Sequence, residues 1–157
     1  MIKKIVIIVV SVFVILATGC SKKMKQDDDI TRIYLSDKYY SKGNFIDINS
    51  SDLSKLDKEN YILFTYNNYC TLSVPCEDIF QKFMKKYKID FLSISFEEFK
   101  KTDFYETVNY APTIIIIENG KIITDLDAND DEDLDKYQDA NEFEKWLNNY
   151  IYFSKSN

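Results

Sequence analysis

The sequence predicts an α/β fold built on a central mixed β-sheet flanked by helices, and three observations predict it. Strand and helix patterns alternate from residue 45 onward. The stretches 61–66 and 113–117 are nearly continuous apolar runs, as strands buried on both faces would be. Asn119-Gly120 then joins two short strand patterns, and both residues accept the positive φ of a tight hairpin turn.

Each element has its own local justification. Residues 45–49 alternate from Ile46 (Ile46, Asp47, Ile48, Asn49), which predicts a short strand. Ser50-Ser51-Asp52 supplies N-cap candidates for a helix to about residue 58, with Leu53 and Leu56 on one face. The run 61–66 predicts a buried parallel strand. Over 76–87, Ile79, Phe80, Phe83, Met84 and Tyr87 recur at helical spacing. Residues 90–95 predict another strand and 96–109 a helical segment. Strands at 113–117 and 121–125 form the hairpin, and residues 141–153 close the chain as a helix with Phe143, Trp146, Leu147 and Tyr150 on one face.

Residues 1–19 carry a targeting pattern. Lys3 and Lys4 precede residues 5–16, apolar except for Ser11. Twelve residues span about 18 Å as a helix, too short for a hydrocarbon core of about 30 Å, so a signal peptide is expected rather than a membrane span. Ala17-Thr18-Gly19-Cys20 resembles a bacterial lipobox, which implies cleavage before Cys20 and lipid on its sulfur. The expected organisation is a leader over 1–19, a lipidated tether over 20–40 and a folded domain over 41–157, on the extracytoplasmic face of the cell membrane. Residues 30–35 are a candidate extra strand within the tether.

Composition then excludes several chemistries. The net charge is −6, and becomes −8 once Lys3 and Lys4 leave, with 18 basic groups facing 26 acidic ones. Such a balance excludes nucleic acid as a partner. Lys22, Lys23 and Lys25 beside the lipid site can each add about 1 kcal/mol at an anionic membrane, or form only a solvated basic stub. There is no histidine, which removes Ser-His-Asp and Cys-His catalysis and histidine-ligated metals. With Cys20 lipidated, Cys70 and Cys76 remain, too few for a structural zinc, so no metal or cofactor is expected. Outside the cytoplasm two such thiols are expected to oxidise to each other at some stage.

The two prolines sit where a thiol–disulfide site would place them: Pro75 directly before Cys76, and Pro112 within Tyr110-Ala111-Pro112-Thr113. Residues 61–76 with the amphipathic helix that follows resemble the strand–cysteine–helix unit of the thioredoxin-like superfamily. Val108-Asn109-Tyr110-Ala111-Pro112-Thr113 resembles the segment that carries its cis-proline, and Asn119-Gly120-Lys121 the hairpin after it. The resemblance spans about residues 45–153. Within the superfamily the chain is similar to small bacterial lipoproteins of the bacteriocin-transport accessory type. It implies a thioredoxin-like three-layer fold, with Cys70 as attacking thiol and Cys76 as resolving thiol. It also implies that Ala111, Pro112 and Thr113 dock substrate backbone. Disulfides or thiols of extracytoplasmic proteins and peptides would be the partners, and the protein is expected to be a monomer.

The chain departs from that pattern in three places. Five residues separate Cys70 from Cys76 where the family has two. The family's buried acid falls on Phe64 when Cys70 is aligned first, or on Asn67 when Ser73 takes that place. The tryptophan before the motif becomes Tyr69 or Leu72 respectively. Two readings therefore stand. In one the pair is a reversible, exchanging disulfide. In the other it is a structural staple of a non-catalytic binding or accessory lipoprotein, stabilising by about 2–3 kcal/mol.

Two further features lie outside that pattern. Asp125, Asp127 and Asn129 begin like a calcium loop, but Asp130 replaces the required glycine and Lys136 the final glutamate, so 125–135 is expected to be a solvated insertion. Most of the 12 tyrosines and 11 phenylalanines fall on core faces. Tyr39, Tyr40, Tyr66, Tyr69, Tyr105 and Tyr110 are candidates for an apolar rim around the cysteines.

Overall fold

In a computed structural model describing residues 31–67 and 75–155, the apolar run Tyr61–Tyr66 (β2) is the central strand of a five-stranded sheet. The other strands are β1 (Phe45–Asp47), β3 (Phe91–Ser95), β4 (Thr113–Glu118) and β5 (Lys121–Asp125), in the order β1-β3-β2-β4-β5. β1 and β2 lie parallel to β3, β4 runs antiparallel to β2, and β5 antiparallel to β4. Asn119 and Gly120 turn the hairpin at φ 48° and 72°, as their residue types predict.

Among the described residues the α-helices are α1 (Ser50–Leu53), α2 (Cys76–Tyr87), α3 (Phe96–Phe99), α4 (Leu134–Gln138) and α5 (Ala140–Asn148), and they flank the sheet. Aromatic rings join α2 and α5 to one face. Phe80 lies 5.3 Å from Phe64, Phe83 lies 6.0 Å from Phe91, and Phe143 of α5 lies 4.7 Å from Phe80. On the other face Leu56 and Tyr39 line a shallow apolar groove with Ile46 and Leu92. Glu98 of α3 accepts from the Ser50 amide and hydroxyl at 3.3 and 2.8 Å, so α3 adjoins α1. This is the three-layer α/β arrangement with a central mixed sheet that the sequence predicts.

The bounds differ where local hydrogen bonding overrides periodicity. Asn49, not the serines, caps α1, accepting from Ser51 and Asp52 amides at 2.9 and 3.1 Å, and the helix closes after one turn. The expected helix over 96–109 breaks after Phe99. The Thr102 hydroxyl donates to the Phe99 carbonyl at 2.8 Å, competing with the helical ladder, and a 3₁₀ turn follows at Asp103–Glu106. α5 stops at Asn148 rather than 153, because the chain then extends to pair Ile151 with Ile33.

That pairing ties the start of the described chain to its end. Ile33 donates to the Tyr150 carbonyl at 2.8 Å, and Tyr152 to the Ile33 carbonyl at 2.9 Å. Tyr34 stacks on Tyr152 at 4.3 Å. Ile33, Leu35 and Tyr39 are buried, so the packed unit begins ahead of residue 41, and the candidate strand over 30–35 reduces to the bridge at Ile33.

Gly43 holds the loop before β1 against the end of α2. Its φ is +72°, and a Cβ there would meet the Met84 carbonyl oxygen at 2.2 Å. Backbone cannot yield as a side-chain tip can, and the φ is itself unfavourable to any other residue. Gly43→Ala is expected to cost at least about 2 kcal/mol of stability, read as a lower urea midpoint with an unchanged slope.

Candidate functional site

The first residue of α2 is Cys76, and it is 2% exposed. Pro75 stands at the N-cap with φ −57°, exposed, and its carbonyl accepts from the Asp78 amide at 3.0 Å. It offers no side-chain cap, so the helix start is set by the fixed proline φ and by burial of Cys76, Ile79 and Phe80. Glu77 and Asp78 occupy the exposed first turn, where the helix dipole favours carboxylates. Cys70 and Cys20, and with them the Cys70–Cys76 pairing, the lipid site and the leader, lie outside the described residues.

The Ala111–Pro112 peptide bond is cis, as the resemblance implies. Ala111 and Pro112 are half-buried at the start of β4, while Thr113 is fully buried opposite Thr65 of β2. Asn67, the residue after β2, donates its side-chain amide to the Ala111 carbonyl at 2.8 Å. The Ala111 carbonyl is therefore already engaged from within. Thr113 donates its hydroxyl to the Leu126 carbonyl at 2.5 Å, so its side chain is committed internally. Tyr110 donates its hydroxyl to Asp125 at the end of β5, which fixes the other flank of the loop.

Tyr137 of α4 joins these parts. Its hydroxyl donates to the Leu126 carbonyl at 2.6 Å and lies 3.2 Å from the Pro112 carbonyl. Its ring packs edge-on against Phe80 at 5.8 Å, and Phe80 is one helical turn along α2 from Cys76. Burial pushes the Tyr137 phenol well above the ordinary tyrosine range; the Thr113 hydroxyl opposes this, while Cys76, Asp133 and Tyr110 add to it. Burial, and then the Asp125 contact, likewise push the Tyr110 phenol far up. Both phenols stay protonated, so both are neutral donors at physiological pH.

The buried acid of the family has no counterpart at Phe64, whose ring lies 5.4 Å from Phe45 and 6.0 Å from Tyr66 as well as against Phe80. Asp47 shares that row of the sheet through Ser93, whose hydroxyl donates to it, but Asp47 is exposed. A cleft of about 140 Å³ between them is lined by Phe45, Asp47, Phe64, Tyr66, Glu77 and Ser93.

The aromatic rim needs correction. Tyr39 and Tyr40 pair with Asp90 and Ile89 ahead of β3, at the end of the sheet opposite Cys76. Tyr66 ends β2, Tyr105 packs on Phe96 at 5.9 Å just past β3, and Tyr110 precedes the cis bond, so these three lie at the Cys76 end. Tyr69 lies outside the described residues. The acidic segment over 125–135 is also more structured than a solvated insertion, because turn hydrogen bonds hold it and it leads into α4. Asp127, Asp130 and Asp133 accept from the amides of Asn129, Glu132 and Asp127 at 2.8, 2.9 and 3.0 Å. Among the described residues no group of three carboxylates or thiols is gathered to hold a metal. Sequence reasoning missed Asn67 as a loop donor and Tyr137 altogether. The available signal was the apolar spacing of Leu126, Leu134 and Tyr137 inside an acidic stretch, since Leu126 and Tyr137 are fully buried.

Among solved structures, a mutant thioredoxin from Halobacterium salinarum matches with a TM-score of 0.51 at 13% identity, covering 73% of this chain and 97% of that one. The fold is thioredoxin-like. Thioredoxins of Schistosoma mansoni and Plasmodium falciparum each match with a TM-score of 0.46 at 18% identity. They cover 71% and 66% of this chain, and 99% and 97% of their own. No protein-family model matches the chain, and no curated protein does.

In this thioredoxin-like frame the Tyr110–Asp125 contact holds the cis-proline loop to the hairpin. Tyr110→Phe is expected to lower unfolding free energy by about 1–2 kcal/mol, measured by urea denaturation, with the far-ultraviolet circular dichroism unchanged.

Proposed function

We propose that the protein is a membrane-anchored, extracytoplasmic thioredoxin-like protein that exchanges thiols and disulfides with secreted or surface proteins through Cys70 and Cys76. The observation that carries this reading is the pairing of a buried cysteine at the start of α2 with the cis Ala111–Pro112 bond, linked by Tyr137, whose hydroxyl reaches the Pro112 carbonyl and whose ring packs on Phe80 one turn along α2 from Cys76. In the exchange, the Cys70 thiolate attacks a substrate disulfide, forming a mixed disulfide and releasing one substrate thiolate. The Cys76 thiolate then attacks Cys70, forming Cys70–Cys76 and releasing the second thiolate, so two protein thiols are oxidised as one substrate disulfide is reduced. The reverse sequence oxidises substrate. Lipid on Cys20 holds the monomer at the outer face of a bacterial membrane, and the approach to the site is through backbone at Ala111 and Pro112.

A second reading has its own support. Phe64 in place of a carboxylate and the deep burial of Cys76 also suit a structural disulfide in a non-catalytic accessory lipoprotein. Cys70→Ser separates the two: exchange predicts loss of peptide-disulfide turnover with little change in melting temperature, while the staple predicts a lower melting temperature alone. A reduction potential below about −300 mV, together with no turnover of insulin or peptide disulfides, would sink the exchange reading.

Docking at the Ala111 carbonyl competes with the Asn67 side chain that already donates to it. Asn67→Ala is accordingly expected to lower the KM for a peptide disulfide by about two- to fivefold, the scale of one hydrogen bond, in steady-state turnover assays.

A further inference from the structure

Three observations converge on one side chain. The position where a buried carboxylate would stand falls on Phe64, packed among aromatic rings, or on Asn67, whose side-chain amide donates to the Ala111 carbonyl. α4 instead carries a fully buried phenol whose ring rests on the first turns of α2 and whose oxygen reaches the carbonyls of Leu126 and Pro112. The Leu126 carbonyl is served twice, by Thr113 at 2.5 Å and by Tyr137 at 2.6 Å. A phenol has one proton, and the Thr113 hydroxyl can keep Leu126 satisfied if that proton turns elsewhere. Turning it therefore keeps the Leu126 carbonyl paired through Thr113 and gives up only the longer, 3.2 Å contact to the Pro112 carbonyl.

We propose that Tyr137 is a positioning residue of the redox site: its hydroxyl holds the cis-proline loop to the Cys76 end of α2 and turns to donate to the Cys76 sulfur when that thiol ionises. The inference rests on the exchange reading for its use in catalysis, though not for its measurement. Among the described residues, the groups around this pair are Thr113 and Tyr110 from the cis-proline segment, Asp125 behind Tyr110, Asp133 ahead of α4 with Lys136 paired to it at 3.1 Å, and Glu77 and Asp78 exposed on the first turn of α2. Carboxylates outnumber the one ammonium there, and that ammonium is already paired, so a neutral donor is a favourable element near the sulfur. Tyr137 stays protonated and can donate whenever the thiol loses its proton. The role is absent from the strand position where the family keeps its acid, and it comes from the segment between β5 and α5.

The test follows the ¹³Cβ chemical shift of Cys76 against pH in the full chain carrying Cys70→Ser, with and without Tyr137→Phe. The phenylalanine keeps the ring on Phe80 and removes only the hydroxyl. The Cys76 midpoint is expected to rise by about one pH unit, and Tyr87→Phe, which removes a hydroxyl bonded to Glu144 at the far end of α2, is expected to leave it unmoved. With Cys70 intact, Tyr137→Phe is expected to lower kcat for a peptide disulfide about tenfold while KM changes less than about twofold. An unmoved or lowered midpoint in Tyr137→Phe, or an equal rise in Tyr87→Phe, overturns the proposal. A raised midpoint in a protein that never turns over disulfides overturns the exchange reading and leaves Tyr137's placement standing. Should Tyr137→Phe fail to fold, 3,5-difluorotyrosine at position 137 keeps the hydroxyl and makes it a stronger donor. The midpoint must then fall, and one that does not fall overturns the proposal.

Discussion

The antiparallel register of β4 on β2 is the constraint on which the rest of the molecule depends. Tyr61 faces Ile117 and Thr65 faces Thr113, with Ile114, Ile115, Ile116 and Ile117 all fully buried between them. Burial of the four isoleucines contributes about 1.5–3 kcal/mol each, and a slip of one residue would draw Pro112 or Glu118 into the buried stretch in place of an isoleucine. Because the register is held at Thr65, Pro112 must sit beside the end of β2, where the chain departs toward Cys76. The ladder runs one step past β5, with the Leu126 amide donating to the Ile114 carbonyl at 2.9 Å. That step brings the Leu126 carbonyl to the Thr113 and Tyr137 hydroxyls.

Phe80 is the counterpart of that register in the helical layer. One ring meets Phe64 of the sheet, Tyr137 of α4 and Phe143 of α5, at 5.3, 5.8 and 4.7 Å. Since Pro75 contributes no side-chain cap, such packing rather than capping determines where α2 starts, and hence where the Cys76 sulfur sits. An ionised carboxylate would be poorly tolerated amid these rings.

What could be read from the sequence follows the strength of the local signal. β2, α2 and β5 have the bounds their patterns predict, because a continuous apolar run, an uninterrupted helical period and an Asn-Gly turn each leave one solution. The expected helix over 96–109 failed at Thr102, whose hydroxyl takes a carbonyl that periodicity cannot see. α5 ended early because a distant partner, Ile33, claims Ile151. α4 was hidden by its charged neighbours, although its buried face needs only Tyr137. The cis bond at Pro112 was legible only through family resemblance. The hydrogen bond from Asn67 to Ala111 joins residues 44 apart, and no local pattern encodes it.

The bridge between Ile33 and Ile151 has a geometric consequence. Phe153, just beyond it, packs at 4.9 Å on Phe83 and 4.5 Å on Tyr87, at the closing turns of α2. The twelve residues of α2 separate that region from Cys76 by about 18 Å. Whatever holds the chain upstream of residue 31 therefore grips the domain by its base. The Cys76 end lies away from that base, so a domain held there would sweep its Cys76 end through an arc while the base stayed nearly still. The length of upstream chain then governs how far from its point of attachment the domain can work, and the fold governs which end arrives first.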